Sequence, residues 1–160
     1  MTLELSQQAP DFVAQCADGE HVSEFRLSEV WGQENIVLAF FPLAFTGGCT
    51  KEMCAFRDQL AQFSHLNAQV YGISVDSPFS LNAFIQQNGL SFPLLSDFNR
   101  EISRSFGVLH EELMGLREIS KRSVFVLDPK GTVRYRWISD DPGQLPDLDA
   151  VKSALSELQP

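Results

Sequence analysis

Thr46, Cys49 and Cys54 lie close together behind Pro42 and the glycine pair Gly47-Gly48, and their types and spacing suit thiol chemistry. A cysteine attacks only as its thiolate, yet a free thiol with a pKa of about 8.5 is mostly protonated at neutral pH. The residues around Cys49 supply a remedy. The apolar run from Ile36 to Phe41 has the length and residue types of a strand buried on both faces, and Pro42 cannot extend a central ladder. Gly47 and Gly48 permit tight backbone geometry close to a ligand, and Thr50 to Phe63 carries Met53, Phe56, Leu60 and Phe63 at helical spacing. Cys49 is thereby placed in the first turn of a helix. Free N–H groups and positive potential there favour an anion and can hold a peroxide oxygen, while the Thr46 hydroxyl holds the other end of the O–O unit. The chemistry that fits is in-line attack of sulfur on the near oxygen, with the far one expelled as hydroxide or alkoxide. A cation is required where that charge develops.

The rest of the chain supplies elements to position this stretch. Asp18-Gly19 predicts a hairpin turn in a lead-in over residues 1–35, with Cys16 inside the hairpin and a short turn over Arg26 to Val30. Gln69 to Val75 reads as a second strong strand, whose end at Asp76-Ser77 borders the same pocket. Ser80 to Asn88 reads as a helix with Leu81, Phe84 and Ile85 inward and a left-handed cap at Asn88-Gly89. Phe92 to Leu95 is expected to be a short strand and Asn99 to Phe106 a helix stopped by Gly107, with an irregular region over 108–121. Two strands, Ser123 to Leu127 and Val133 to Ile138, flank the turn Asp128-Pro129-Lys130-Gly131. Arg134 and Arg136 are expected on the solvent face, and Asp140-Asp141-Pro142-Gly143 breaks the chain before a final amphipathic helix over Asp147 to Leu158. Strands and helices in this order predict an α/β fold, a mixed central sheet flanked by helices.

Composition narrows the function classes. The 160 residues fit a single domain over 1–160, and 44% apolar residues with 13 phenylalanines suffice for a real core. A net charge of −9 argues against a nucleic-acid surface or an anionic membrane. No apolar run approaches the roughly 20 residues needed to span a bilayer, and Met1 to Ser6 does not resemble an export signal, so a cytoplasmic location is expected. Three cysteines do not make a disulfide scaffold, and Cys49 and Cys54 lack a second ligand pair at zinc-finger spacing. Neither metal nor cofactor is expected.

Pro42-x-x-x-Thr46-x-x-Cys49 resembles the signature of the peroxiredoxins. The wider stretch from Phe41 to Asp58 is most similar to the AhpE-like subgroup, and next to the bacterioferritin-comigratory or Q-type subgroup. Similarity extends through Ala9-Pro10-Asp11-Phe12, Ser74-Val75-Asp76-Ser77, Phe92 to Phe98 and Arg122 to Asp128. The resemblance implies a thioredoxin-like fold with an N-terminal extension, and a peroxidase of hydrogen peroxide, organic hydroperoxides or peroxynitrite. It makes Cys49 the peroxidatic cysteine, Thr46 the group that orients peroxide, Pro42 the shield of the sulfur and Arg122 the cation. Glu52 falls where the family has an acidic helper that orients an arginine. Phe41, Leu43 and Phe45 are expected at the apolar rim, and Gly48 close to the substrate.

Attack leaves Cys49 as a sulfenic acid, which a second thiol must reduce before more peroxide drives it to sulfinic acid. Cys54 is the candidate resolving thiol. On an ideal helix, however, the two α-carbons lie about 8–9 Å apart, whereas disulfides need less than about 7 Å. A Cys49–Cys54 disulfide therefore requires the helix start to unwind; the alternative is a buried Cys54 and an outside thiol. The reductant is expected to be thioredoxin-, glutaredoxin- or mycoredoxin-like, and the chain a homodimer. Two competing functions remain: a cysteine hydrolase, needing His21, His65 or His110 as base, and a redox sensor that passes oxidation to a partner.

Overall fold

A computed structural model describes residues 2–160. Strands β1 (Val13–Ala17) and β2 (Val22–Arg26) form the expected hairpin, with the Asp18 carboxylate accepting from the N–H groups of Glu20 and His21 in the turn. A 3-10 turn at Leu27–Val30 leads into β3 (Asn35–Phe40), every residue of which is buried. Helix α1 (Gly47–Asp58) and the short α2 (Leu60–His65) replace the single helix expected over 50–63, with a break at Gln59. Then follow β4 (Ala68–Ser74), α3 (Pro78–Asn88), β5 (Leu94–Ser96) and α4 (Glu101–Phe106). α3 begins earlier than its apolar spacing suggests, because Ser77 caps the Ser80 N–H at 3.1 Å and Pro78 suits the first turn. It ends as expected, with Gly89 left-handed at φ 59°.

Residues 108–121 are not irregular. They form a second hairpin, β6 (Leu109–Leu113) and β7 (Leu116–Ser120), turned by Met114 and Gly115 at φ 53° and 79°. Both turn residues in the left-handed region match the twist of the paired strands. The hairpin of β8 (Ser123–Leu127) and β9 (Val133–Ile138) follows as expected, and α5 (Leu148–Ser156) closes the chain with Asp147 as its N-cap. On β9, Arg134 is exposed and bonded to Asp128, whereas Arg136 is half-buried on Glu4 and the Leu3 carbonyl.

The main sheet has seven strands in the order β2-β1-β5-β4-β3-β8-β9, with β3 parallel to β4 and antiparallel to β8. The lead-in hairpin is therefore part of this sheet, since β1 pairs with β5. Alternation along β3 divides the core in two. Val37 and Ala39 face the cluster that holds α1, α2, α3 and α5, while Ile36, Leu38 and Phe40 face the cluster beneath α4. Phe40, Phe106 and Phe125 pack mutually at 5.3–5.9 Å, so these phenylalanines serve as core. This is the thioredoxin-like arrangement, and it places the C-terminal ends of β3 and β4 beside the start of β8.

Gly131, in the β8–β9 turn, has φ 83°, and a Cβ there would lie 2.7 Å from the Trp31 ring. A rigid indole cannot yield as a flexible side chain does. Gly131→Ala is therefore expected to cost about 2 kcal/mol, read as a lowered urea midpoint; an unchanged midpoint would show that the turn relaxes freely.

Candidate active site

β3 ends at Phe40, and the chain turns out at Pro42 into a loop held from the neighbouring strand. The Asp76 carboxylate, just beyond β4, accepts from the Ala44 N–H at 2.8 Å and from the Ser74 hydroxyl at 2.6 Å. Phe45 takes a left-handed φ of 69°, a conformation that costs a non-glycine residue free energy and redirects the chain into α1. Thr46 is the N-cap residue, but its side chain does not cap. Its hydroxyl donates to the Leu43 carbonyl at 2.8 Å, which leaves the oxygen lone pairs free to accept from a ligand. The first backbone bond of α1 runs from Thr50 N–H to the Thr46 carbonyl at 2.9 Å. Gly47, Gly48 and Cys49 thus occupy the first turn, where helix N–H groups favour negative charge.

Cys49 is 1% exposed at the base of a cleft of about 220 Å³ lined also by Pro42, Leu43, Thr46, Gly48 and Arg122. Arg122 stands just before β8 and reaches the cleft through a fixed set of acceptors. Its Nη1 donates to Glu52 Oε1 at 2.7 Å, and its Nη2 and Nε donate to the Pro142 carbonyl at 2.7 and 3.2 Å. Burial works against the cation, but Glu52 and the Cys49 sulfur outweigh it and hold the Arg122 pKa above its ordinary value. Gly48 keeps room for this group: a Cβ there would sit 3.0 Å from Arg122 Nη2 and 3.7 Å from the Pro142 carbonyl.

The structure brings Pro42, Thr46, Gly48, Cys49 and Arg122 to one cleft, with Glu52 behind Arg122. Phe41 and Phe45 do not line it. Phe41 is fully buried and stacks on Phe84 at 6.1 Å, because it continues the alternation of β3 into the core. Phe45 is 50% exposed and packs edge-on against Phe84 at 5.2 Å, turned away by its left-handed backbone. The apolar wall comes instead from Leu43, from Leu113 and Met114 at the tip of the β6–β7 hairpin, and from Pro142. Pro142 lies in a stretch legible only as a chain break, and Leu113 and Met114 carry no sequence signal beyond a hydrophobic pair beside a glycine. Cys54 points elsewhere, its sulfur 3.8 Å from Asn88 Oδ1, and all three cysteines are free. Cys16 is half-buried on β1. Among the described residues no histidine lines the cleft.

A family model described as AhpC/TSA matches residues 5–136. The chain belongs to this peroxiredoxin family. Peroxiredoxin-2 of Bos taurus is 39% identical over 145 residues, which are 86% of this chain and 70% of the relative. The chloroplastic 2-Cys peroxiredoxin BAS1 of Spinacia oleracea is 35% identical over 85% of this chain and 52% of its own length. This peroxiredoxin thus spans about half the length of that relative. A crystal structure of peroxidoxin BcpB from Mycobacterium tuberculosis superposes with a TM-score of 0.85 at 29% identity, covering 99% of each chain.

Glu52 gives this peroxiredoxin site a testable pH dependence. Burial pushes its carboxyl up to about 7, against the pull of the Arg122 hydrogen bond and charge, and its Oε2 has no partner among the described residues. In the unfolded chain the same group titrates near 4.5. Between these values the folded state holds the proton more tightly, so stability falls as pH rises through the window and the loss is complete above about pH 7. Urea titrations from about pH 5 to pH 8 are expected to show wild type losing about 1–3 kcal/mol relative to Glu52→Gln. Parallel pH curves for the two proteins would contradict this.

Proposed function

We propose that this chain is a thiol-dependent peroxidase with Cys49 as its peroxidatic residue. The observation that carries the reading is one cleft faced by the Cys49 sulfur, the Thr46 hydroxyl and the fixed Arg122 guanidinium. In this reading the peroxide O–H donates to the Thr46 oxygen, and helix N–H groups and Arg122 hold the O–O unit in line with the thiolate. Sulfur attacks the near oxygen, the O–O bond breaks, and the far oxygen leaves as hydroxide or alkoxide and takes up a proton. Arg122 carries the cation toward both the thiolate and the charge developing on the leaving oxygen. Pro42 excludes water from the sulfur and Gly48 admits the substrate. Apolar walls at Leu43, Met114 and Pro142 favour organic hydroperoxides alongside hydrogen peroxide, with peroxynitrite a further substrate. The absence of a cleft-lining histidine among the described residues disfavours the hydrolase.

In the same reading Cys54 resolves the Cys49 sulfenic acid as an intramolecular disulfide, after the first turns of α1 unwind, and a thioredoxin-, glutaredoxin- or mycoredoxin-like protein reduces it. Three free cysteines suit a reducing compartment such as the cytoplasm. The stretch Phe41 to Asp58 supports placement near the AhpE-like subgroup, with the Q-type subgroup second. One feature favours a one-cysteine alternative: α1 is unbroken from Gly47 to Asp58, and Cys54 is engaged with Asn88. An outside thiol would then reduce Cys49 directly. A sensor is distinguished by reacting once where an enzyme cycles with excess reductant.

Cys49→Ser is expected to abolish peroxide consumption, and Thr46→Val and Arg122→Gln to lower kcat/KM by about 10²-fold or more. Retained turnover in Cys49→Ser would overturn the assignment. Peptide mass analysis after one equivalent of hydrogen peroxide separates a Cys49–Cys54 disulfide from a persistent Cys49 sulfenic acid. A homodimer is proposed from the exposed Phe79, Phe98, Met114 and Leu116, which are 73, 56, 72 and 47% exposed. Sedimentation is expected to show concentration-dependent pairing, reduced in Phe98→Glu; monomers at all concentrations would exclude it.

A further inference from the structure

Cys54 sits in a built environment that the reaction at Cys49 does not use. Arg57 lies three residues on, on the same face of α1, and its guanidinium is held from two sides. Nη1 donates to the Asn88 backbone carbonyl at 2.5 Å, and Nε donates to Asp58 Oδ1 at 2.9 Å. Asn88 is itself fixed, because its Nδ2 donates to the Phe84 carbonyl at 3.0 Å within α3, while its Oδ1 lies 3.8 Å from the Cys54 sulfur. Asn88 thus binds the end of α3 to α1 at two points, its backbone carbonyl at Arg57 and its side-chain oxygen at the Cys54 sulfur. Cys54 and Arg57, three residues apart on one face of α1, both reach Asn88, and the Asp58 hydrogen bond is the main cause that raises the Arg57 pKa.

We infer that Arg57 is a positioning residue for the resolving half-reaction, docking α1 on Asn88 just beyond Cys54 and presenting a cation to its sulfur. This rests on the two-cysteine reading above. In that step the Cys54 thiolate attacks the sulfur of Cys49 sulfenic acid; the S–S bond forms, the S–O bond breaks, and hydroxide leaves and is protonated to water. Cys54 sulfur is oxidised and Cys49 sulfur reduced, and the oxidising equivalents came from the peroxide. Two demands conflict here: the helix start must unwind to bring the sulfurs together, yet Cys54 must stay near its target. The Arg57–Asn88 contact separates them, since it lies downstream of Cys54 and survives when the turns upstream melt. A nucleophile released from Asn88 Oδ1 still has a cation three residues away. Speed matters because the sulfenic acid partitions between disulfide and irreversible sulfinic acid.

The test is rapid-quench peptide mass analysis of the full chain treated with hydrogen peroxide, comparing wild type, Arg57→Gln and Arg57→Lys. Arg57→Gln is expected to form Cys49 sulfenic acid at the wild-type rate and the Cys49–Cys54 disulfide about tenfold more slowly, because the segment that carries Cys54 is less well positioned. Sulfinic acid then accumulates at lower peroxide. Arg57→Lys restores most of the disulfide rate, because a cation again reaches toward the Asn88 carbonyl. Equal disulfide rates would overturn the inference alone. So would an Arg57→Gln protein that is slower in both steps, less stable and not rescued by lysine, because Arg57 would then serve only the fold. A wild-type protein that reaches Cys49 sulfenic acid but never the disulfide would overturn both the two-cysteine reading and the inference.

Discussion

The buried pair of Arg122 and Glu52 is the constraint on which the site depends. Their side chains are 2% and 1% exposed, and the charged atoms meet at 2.7 Å. A pair of this kind contributes little net stability, because removing two charges from water costs about as much as their attraction returns. Its product is position. Arg122 stands just before β8 and Glu52 in the second turn of α1, so their contact fixes helix against sheet beside the cleft that Cys49 and Arg122 share. The Pro142 carbonyl takes the remaining guanidinium donors and brings a third segment, between β9 and α5, to the same atom group. Gly48 is small for the same reason.

Much of this was legible in the sequence because it follows from local rules. A buried strand ended by proline, a glycine pair and a helical spacing placed Cys49 at a helix start, with Thr46 three residues before it, whereas Arg122 came only from the family resemblance. The central hairpin, the left-handed cap at Gly89 and the helix stop at Gly107 were equally local, since turn chemistry is written in adjacent residues. What was hidden depends on tertiary context. Phe41 and Phe45 flank the motif and are apolar, but one follows the strand's alternation into the core and the other is turned away by a left-handed backbone. Neither outcome can be read from residue type. The β6–β7 hairpin escaped notice because His110, Glu111 and Glu112 blur its alternation and Met114-Gly115 is an unusual turn pair. The break at Gln59 also had no local mark, because Met53, Phe56, Leu60 and Phe63 keep a helical spacing across it.

The two faces of the site differ in what holds them. Thr46 and Cys49 are held at the start of α1, and Arg122 is tied to the seven-stranded sheet through β8. Leu113 and Met114 belong to a two-stranded sheet that shares no strand with it. A two-stranded ribbon is marginally stable by itself, and here it rests on the contacts of Ile119 and on the Ser103–Ser120 hydroxyl bond at 2.7 Å.

That separation has an evolutionary reading. The β6–β7 tip forms a wall of the cleft but carries neither the core nor the reacting groups. Substitutions at Leu113 and Met114 can thus reshape the mouth of the site without disturbing the cysteine or its cation. Drift in that hairpin would let closely related chains diverge in the molecules they admit while preserving one chemistry.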